Sequence, residues 1–111
     1  MNKINLSAAA QRDLQDIKRY IAVELDNTTA AVNTVRKITA RIRLLSEHPR
    51  AGAALTAIAD IDSDYRFLVA GNFLIFYRFV NQEIFVDRIL YGRRNYLQIL
   101  FGDTIEDNAE E

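Results

Sequence analysis

The chain has 111 residues, half of them hydrophobic, with 14 Lys and Arg, 15 Asp and Glu, one His and no Cys. One domain is expected, because a second core would be too small to hold itself together, and no apolar run approaches the roughly 18 residues of a membrane span. Without cysteine there are no disulfides or thiolate metal sites, and one histidine cannot make a histidine cluster, so no metal or cofactor is expected.

Met1–Leu6 runs directly into a short apolar segment without the hydrophobic core of a signal peptide, so a soluble cytoplasmic protein with no membrane partner is expected. The formal net charge of −1 conceals an uneven distribution. Residues 1–101 carry all 14 bases against 10 acids, a net of +4, whereas the last ten residues hold Asp103, Glu106, Asp107, Glu110 and Glu111 and no base. Asp60, Asp62 and Asp64 concentrate three of the body's acids in one stretch. A basic body of this kind suits a nucleic acid or an acidic protein surface as partner, and equally an ordinary solvated domain.

Lys3–Leu6 reads as a short strand, and Ser7 offers a hydroxyl to cap a helix beginning at Ala8. Ala10, Leu14, Ile17, Ile21 and Leu25 then recur at helical spacing. Asp26-Asn27-Thr28 is turn and capping chemistry, followed by a second stripe of Val32, Val35, Ile38, Ile42 and Leu45 that Pro49 and Gly52 stop just after His48. Two amphipathic helices joined by so short a turn form an antiparallel hairpin.

From Tyr65 the pattern becomes extended. Tyr65–Val69, Phe73–Val80 and Glu83–Tyr91 are three strands joined by Gly71-Asn72 and Asn81-Gln82, both suited to two-residue turns, so an antiparallel meander is expected. Phe73–Tyr77 is apolar on both faces and suits the most covered strand, with Phe76 and Tyr77 in the core. Arg94–Phe101 reads as a short helix ended by Gly102. The fold class is therefore α+β, with a body over residues 1–102 and a mobile acidic tail over 103–111.

This order of elements resembles the RelE/ParE toxin superfamily along nearly the whole chain. The likeness rests on Leu6-Ser7 through Asp13-Leu14 and Ile17 to Tyr20-Ile21, on Leu45 through Pro49 and Gly52, on Tyr65-Arg66 through Gly71-Asn72 to Phe76-Tyr77-Arg78, and on Leu90-Tyr91-Gly92-Arg93-Arg94. The resemblance implies a growth-inhibiting toxin of a type II toxin–antitoxin system, silenced by a cognate antitoxin. RelE-like members cleave messenger RNA on the ribosome, whereas ParE-like members bind DNA gyrase and need no hydrolytic site. A scaffold alone does not choose between them.

Cleavage of RNA through its own 2′-hydroxyl requires a base, a cation for the phosphorane and an acid for the leaving oxygen. If the chain is a nuclease, Arg66, Tyr91, Arg93, Arg94 and Tyr96 are the candidates, gathered with Arg78 near one end of the meander. None supplies a base, because arginine stays protonated and tyrosine has an unperturbed pKa of about 10. Related nucleases supply the base from lysines in a basic strand or from a histidine near the C-terminus. Here Lys3, Lys18 and Lys37 all precede the meander, Tyr91 stands where the family often has histidine before Gly-Arg-Arg, and Leu74 stands where RelE-like nucleases have an arginine. His48 precedes a proline at a helix end, where capping is the economical account.

The missing base favours the gyrase-binding class, with mRNA cleavage as the alternative and a non-toxic interaction or oligomerisation module as a third reading. Target or antitoxin contacts are expected from Arg66, Arg78, Arg93, Arg94, Tyr96, Leu97 and Leu100, and from Arg36 and Arg43, seven residues apart on one face of the second helix.

Overall fold

The computed structural model describes residues 1–57, 63–92 and 96–102. Strand β1 (Lys3–Leu6) leads into α1 (Ala8–Arg19), which continues as a π-helical turn over Tyr20–Glu24. Helix α2 (Thr28–Leu44) returns alongside. The short β2 (Ala53–Ala54) and a 3₁₀ turn (Leu55–Ala57) precede β3 (Arg66–Ala70), β4 (Phe73–Val80), β5 (Glu83–Tyr91) and α3 (Tyr96–Phe101). The hairpin has the expected caps: the Ser7 hydroxyl accepts from the Ala10 N–H at 2.9 Å, and the Asn27 side-chain oxygen from the Ala30 N–H at 3.0 Å.

The five strands form one sheet in the order β1-β5-β4-β3-β2, antiparallel except for β1, which runs parallel to β5. Asn81 and Gln82 both take positive φ, 51° and 65°, as a two-residue hairpin turn of type I′ requires. β4 occupies the centre of the sheet, as its two apolar faces lead one to expect. Tyr77 belongs to the core beneath the hairpin, with Ile38, Ile42, Leu45, Ile75 and Ile89, while Phe76 joins Leu55 and Leu90 on the opposite face beneath α3.

Three features differ from the sequence reading. The pair Ala53-Ala54 carries no strand propensity and becomes β2 only because β3 offers it a free edge. α2 ends at Leu44 rather than at His48, and it is the His48 backbone N–H that bonds the Leu44 carbonyl, at 3.0 Å. The extended segment begins at Arg66 rather than Tyr65. The first two residues of the expected last helix, Arg94 and Asn95, lie outside the described residues, as do Asp60, Asp62 and the acidic segment 103–111.

Side chains of the hairpin finish both sheet edges where the short outer strands run out. β1 stops pairing with β5 at Val86. Beyond it, the Ser7 hydroxyl donates to the Asp87 carbonyl at 2.7 Å, and an Asp13 carboxylate oxygen accepts the Ile89 N–H at 2.9 Å. On the other side, where β2 has ended, Arg41 Nε donates to the Val69 carbonyl at 3.1 Å. These three backbone groups, which could otherwise recruit another strand, are thus occupied by side chains of the hairpin and its cap.

Candidate functional site

The two-residue turn at Gly71-Asn72 sets Ala70 opposite Phe73 and therefore Arg66 opposite Tyr77. Side chains alternate across a strand, so Arg66 shares the hairpin face with Tyr77 while Arg78 projects to the α3 face. The expected gathering of these two guanidinium groups does not occur. Arg66 bonds the loop before β2 instead, donating to the carbonyls of Gly52 at 3.1 Å and Arg50 at 3.4 Å. Tyr77 anchors the same loop from below: its hydroxyl accepts the Gly52 N–H at 2.9 Å and donates to the Pro49 carbonyl at 2.8 Å. A Cβ on Gly52 would lie 2.5 Å from the Phe67 carbonyl oxygen and 2.8 Å from the Tyr77 ring, so glycine is required there by close approach.

On the α3 face Arg78 meets Asp87 and Tyr65. One Asp87 oxygen accepts from Arg78 Nε at 2.9 Å and from the Tyr65 hydroxyl at 2.7 Å, and the guanidinium lies over the rings of Tyr65 and Phe85 at 5.9 and 5.7 Å. Burial and the hydrogen bond to Asp87 push the Tyr65 phenol up to about 12. The bond to Asp87 likewise holds the Arg78 guanidinium above its ordinary value. At neutral pH this tyrosine is a hydrogen-bond donor and a poor base. Asp87 occupies the extra position of a bulge in β5, where the pairing shifts between Phe76 and Tyr77 of β4.

Tyr96 stacks on Phe76 with centroids 5.3 Å apart, and Leu97, Leu100 and Phe101 pack into the cluster around Phe76, Leu55 and Leu90. Phe101 also meets Tyr65 edge-on at 5.8 Å. Tyr91 faces the hairpin side, edge-on to Phe73 at 5.9 Å, and with Tyr20 and Leu25 lines a cleft of about 690 Å³ between the hairpin and the end of the sheet. Tyr91 and Tyr96 therefore sit on different faces. Arg36 and Arg43 are exposed on α2. Leu74, where RelE-like nucleases have arginine, packs into the α3-side cluster. Arg93 and Arg94 lie outside the described residues. His48 is exposed beside Leu44, Glu47 and Arg50 and meets none of the candidate residues that are described.

The sequence reading missed the ion pair between Asp13 and Arg88. Arg88 grips both carboxylate oxygens, Nε to one at 2.8 Å and a terminal nitrogen to the other at 2.9 Å, and Asp13 is 8% exposed. The bond to Asp13 raises the Arg88 guanidinium above its ordinary value. The signal was available: Asp13 falls three residues after Ala10 and four before Ile17, inside the apolar stripe, where a carboxylate must be matched.

A helical hairpin laid across a curled sheet, with a short helix on the opposite face, is the architecture of the RelE/ParE superfamily of toxins. A sequence profile for the ParE toxin of the type II toxin–antitoxin system parDE matches residues 4–96. The chain belongs to the ParE toxin family, and a cognate antitoxin is its implied partner. It is similar to a chain in a solved structure described as the chromosomal ParDE toxin–antitoxin system from P. aeruginosa, with a TM-score of 0.69 and 22% identity over 82% of this chain and 96% of that one. At that identity the likeness speaks for the fold. No curated protein sequence matches the chain. Among the described residues no helix is long and apolar enough to cross a membrane.

Proposed function

We propose that this toxin arrests growth by binding DNA gyrase in the cytoplasm, without cleaving nucleic acid, and that its antitoxin silences it by covering the target-binding surface. The observation that carries the reading is the fate of the nuclease candidates. Arg66 and Arg78 are on opposite faces and bonded to structural partners, and Tyr65, the phenol beside Arg78, is pushed up to about 12. A hydrolytic site needs a proton acceptor within hydrogen-bond reach of the attacking hydroxyl, and the carboxylate beside Arg78, Asp87, is instead engaged by Arg78 and the Tyr65 phenol.

The toxin domain is residues 1–102, with the acidic segment 103–111 outside it. Antitoxin contacts are assigned to Arg78, Arg93 and Arg94 in this reading, because Arg66 belongs to the other face and Leu97 and Leu100 pack inward. Unchanged antitoxin affinity in Arg93→Glu with Arg94→Glu would remove those two residues from it.

Expression without antitoxin separates the readings. Arrest with loss of plasmid supercoiling and intact messages supports gyrase binding; arrest with ribosome-dependent cuts in primer extension establishes the mRNA endoribonuclease instead. Uninterrupted growth establishes a non-toxic interaction module.

A further inference from the structure

Helix α2 has an unusual charge pattern for an exposed helix. Its 17 residues include Arg36, Lys37, Arg41 and Arg43 and not a single acid. Arg36, Lys37 and Arg43 are exposed, and among the described residues none of the three has a carboxylate or other hydrogen-bond partner for its side chain. Arg41 is held against the Val69 carbonyl. The helix dipole accounts for cations in the last turn, where Arg41 and Arg43 lie, but not for Arg36 and Lys37 in the middle. Helix stability would be better served by an acid in the first turn, where there is none, and by carboxylates three or four residues from each cation; only Arg43 has one so placed, Glu47 just beyond the helix, and the two form no ion pair. The pattern forgoes internal compensation and leaves its positive charge to an outside partner.

The chemistry of the face selects the kind of partner. Arg36 and Arg43 stand about 10 Å apart along the axis at 1.5 Å per residue, and Lys37 lies between them in height and to one side, across the turn at Gly71. Ala40, small and exposed, lies between Arg36 and Arg43, and exposed Asn33 stands one turn before Arg36. A protein interface centres on aromatic or large apolar anchors, and single-stranded nucleic acid is held by stacking on aromatic rings. α2 contains no aromatic residue. Its exposed apolar side chains, Val32 and Leu44, stand at the two ends of the helix at 39% and 36% exposure, and the cations between them, free of aromatic anchors, match a surface that offers phosphates at regular intervals.

We infer that the outer face of α2 contacts the sugar–phosphate backbone of duplex DNA. DNA contact by the toxin itself goes beyond gyrase binding and does not require it. The contact is independent of sequence and weak, in the range of about 10⁻⁴ to 10⁻⁶ M that phosphate neutralisation alone supplies.

Anisotropy of a short labelled duplex, titrated with the full chain over a series of salt concentrations, tests this directly. Three phosphate contacts give a slope of log affinity on log salt of about −2.7, so affinity falls about 40-fold between roughly 50 and 200 mM salt. Arg36→Gln with Arg43→Gln should flatten the slope to about −0.9, and Lys37→Gln alone should reduce its steepness by about one. These side chains have no partners to lose, so equal thermal midpoints are expected for the variants and the parent. Poly-glutamate and unlabelled duplex are then compared as competitors at equal charge, with duplex expected to be the better. Absence of binding by the parent at low salt, an unchanged slope in the variants, or equal competition by poly-glutamate overturns the inference, the last by assigning the face to an acidic protein.

Discussion

Two arginine–carboxylate pairs hold β5, and they are built for different purposes. Asp13–Arg88 joins the hairpin to the free edge of β5, with both carboxylate oxygens gripped by the guanidinium and a backbone N–H added from Ile89. Its side chains are 10% and 28% exposed. Arg78–Asp87 sits on the more open face, 36% and 21% exposed, with one guanidinium contact and a tyrosine sharing the carboxylate oxygen. The first pair fixes where the helical arm lies. The second ties the guanidinium of Arg78 and the phenol of Tyr65 to one oxygen of Asp87 on the α3 face.

Removal of Asp13 should separate the pairs most sharply. Asp13→Ala leaves Arg88 without its counter-charge and the Ile89 N–H without an acceptor, a loss of about 3 to 5 kcal/mol that urea unfolding would register. Tyr77→Phe comes next, at about 1 to 3 kcal/mol, because a buried Gly52 N–H and the Pro49 carbonyl lose their partner. Asp87→Ala should cost less, about 1 kcal/mol, because this pair is the more solvent-exposed of the two at 36% and 21%. An Asp87 variant as unstable as the Asp13 variant would erase the distinction between clasp and open pair.

The smallest effect concerns pH. The Tyr65 phenol is raised above its ordinary value of about 10, so folding favours its protonated form. Its contribution is fully present below pH about 10 and is lost as pH rises through about 12. Absorbance titration at the tyrosinate band should show that Tyr65→Phe removes a component with its midpoint near pH 12. A component centred at the ordinary value would show that the phenol does not hold Asp87 in solution.

Much of this architecture is legible before any coordinates. Ser7 and Asn27 announce their helices, Gly71-Asn72 and Asn81-Gln82 announce their turns, and the two-sided apolar run of β4 announces its central place. The opposition of Arg66 and Arg78 was legible too: a two-residue turn fixes the register, and the register fixes which side chains share a face. What could not be read is long-range. β2 has no propensity of its own, and the bulge that brings Asp87 to Arg78 and Tyr65 depends on how β5 accommodates both of its neighbours. The partner of Asp13 lies 75 residues away, so the stripe reveals that a partner is needed without naming Arg88.

The most direct trial of the gyrase-binding account is a supercoiling assay with purified gyrase and relaxed plasmid, titrated with the toxin and then with its antitoxin. The account predicts that supercoiling stops as toxin is added, returns when antitoxin reaches equimolar amounts, and that the same toxin leaves messages intact on translating ribosomes. Undiminished supercoiling together with ribosome-dependent cleavage would contradict it.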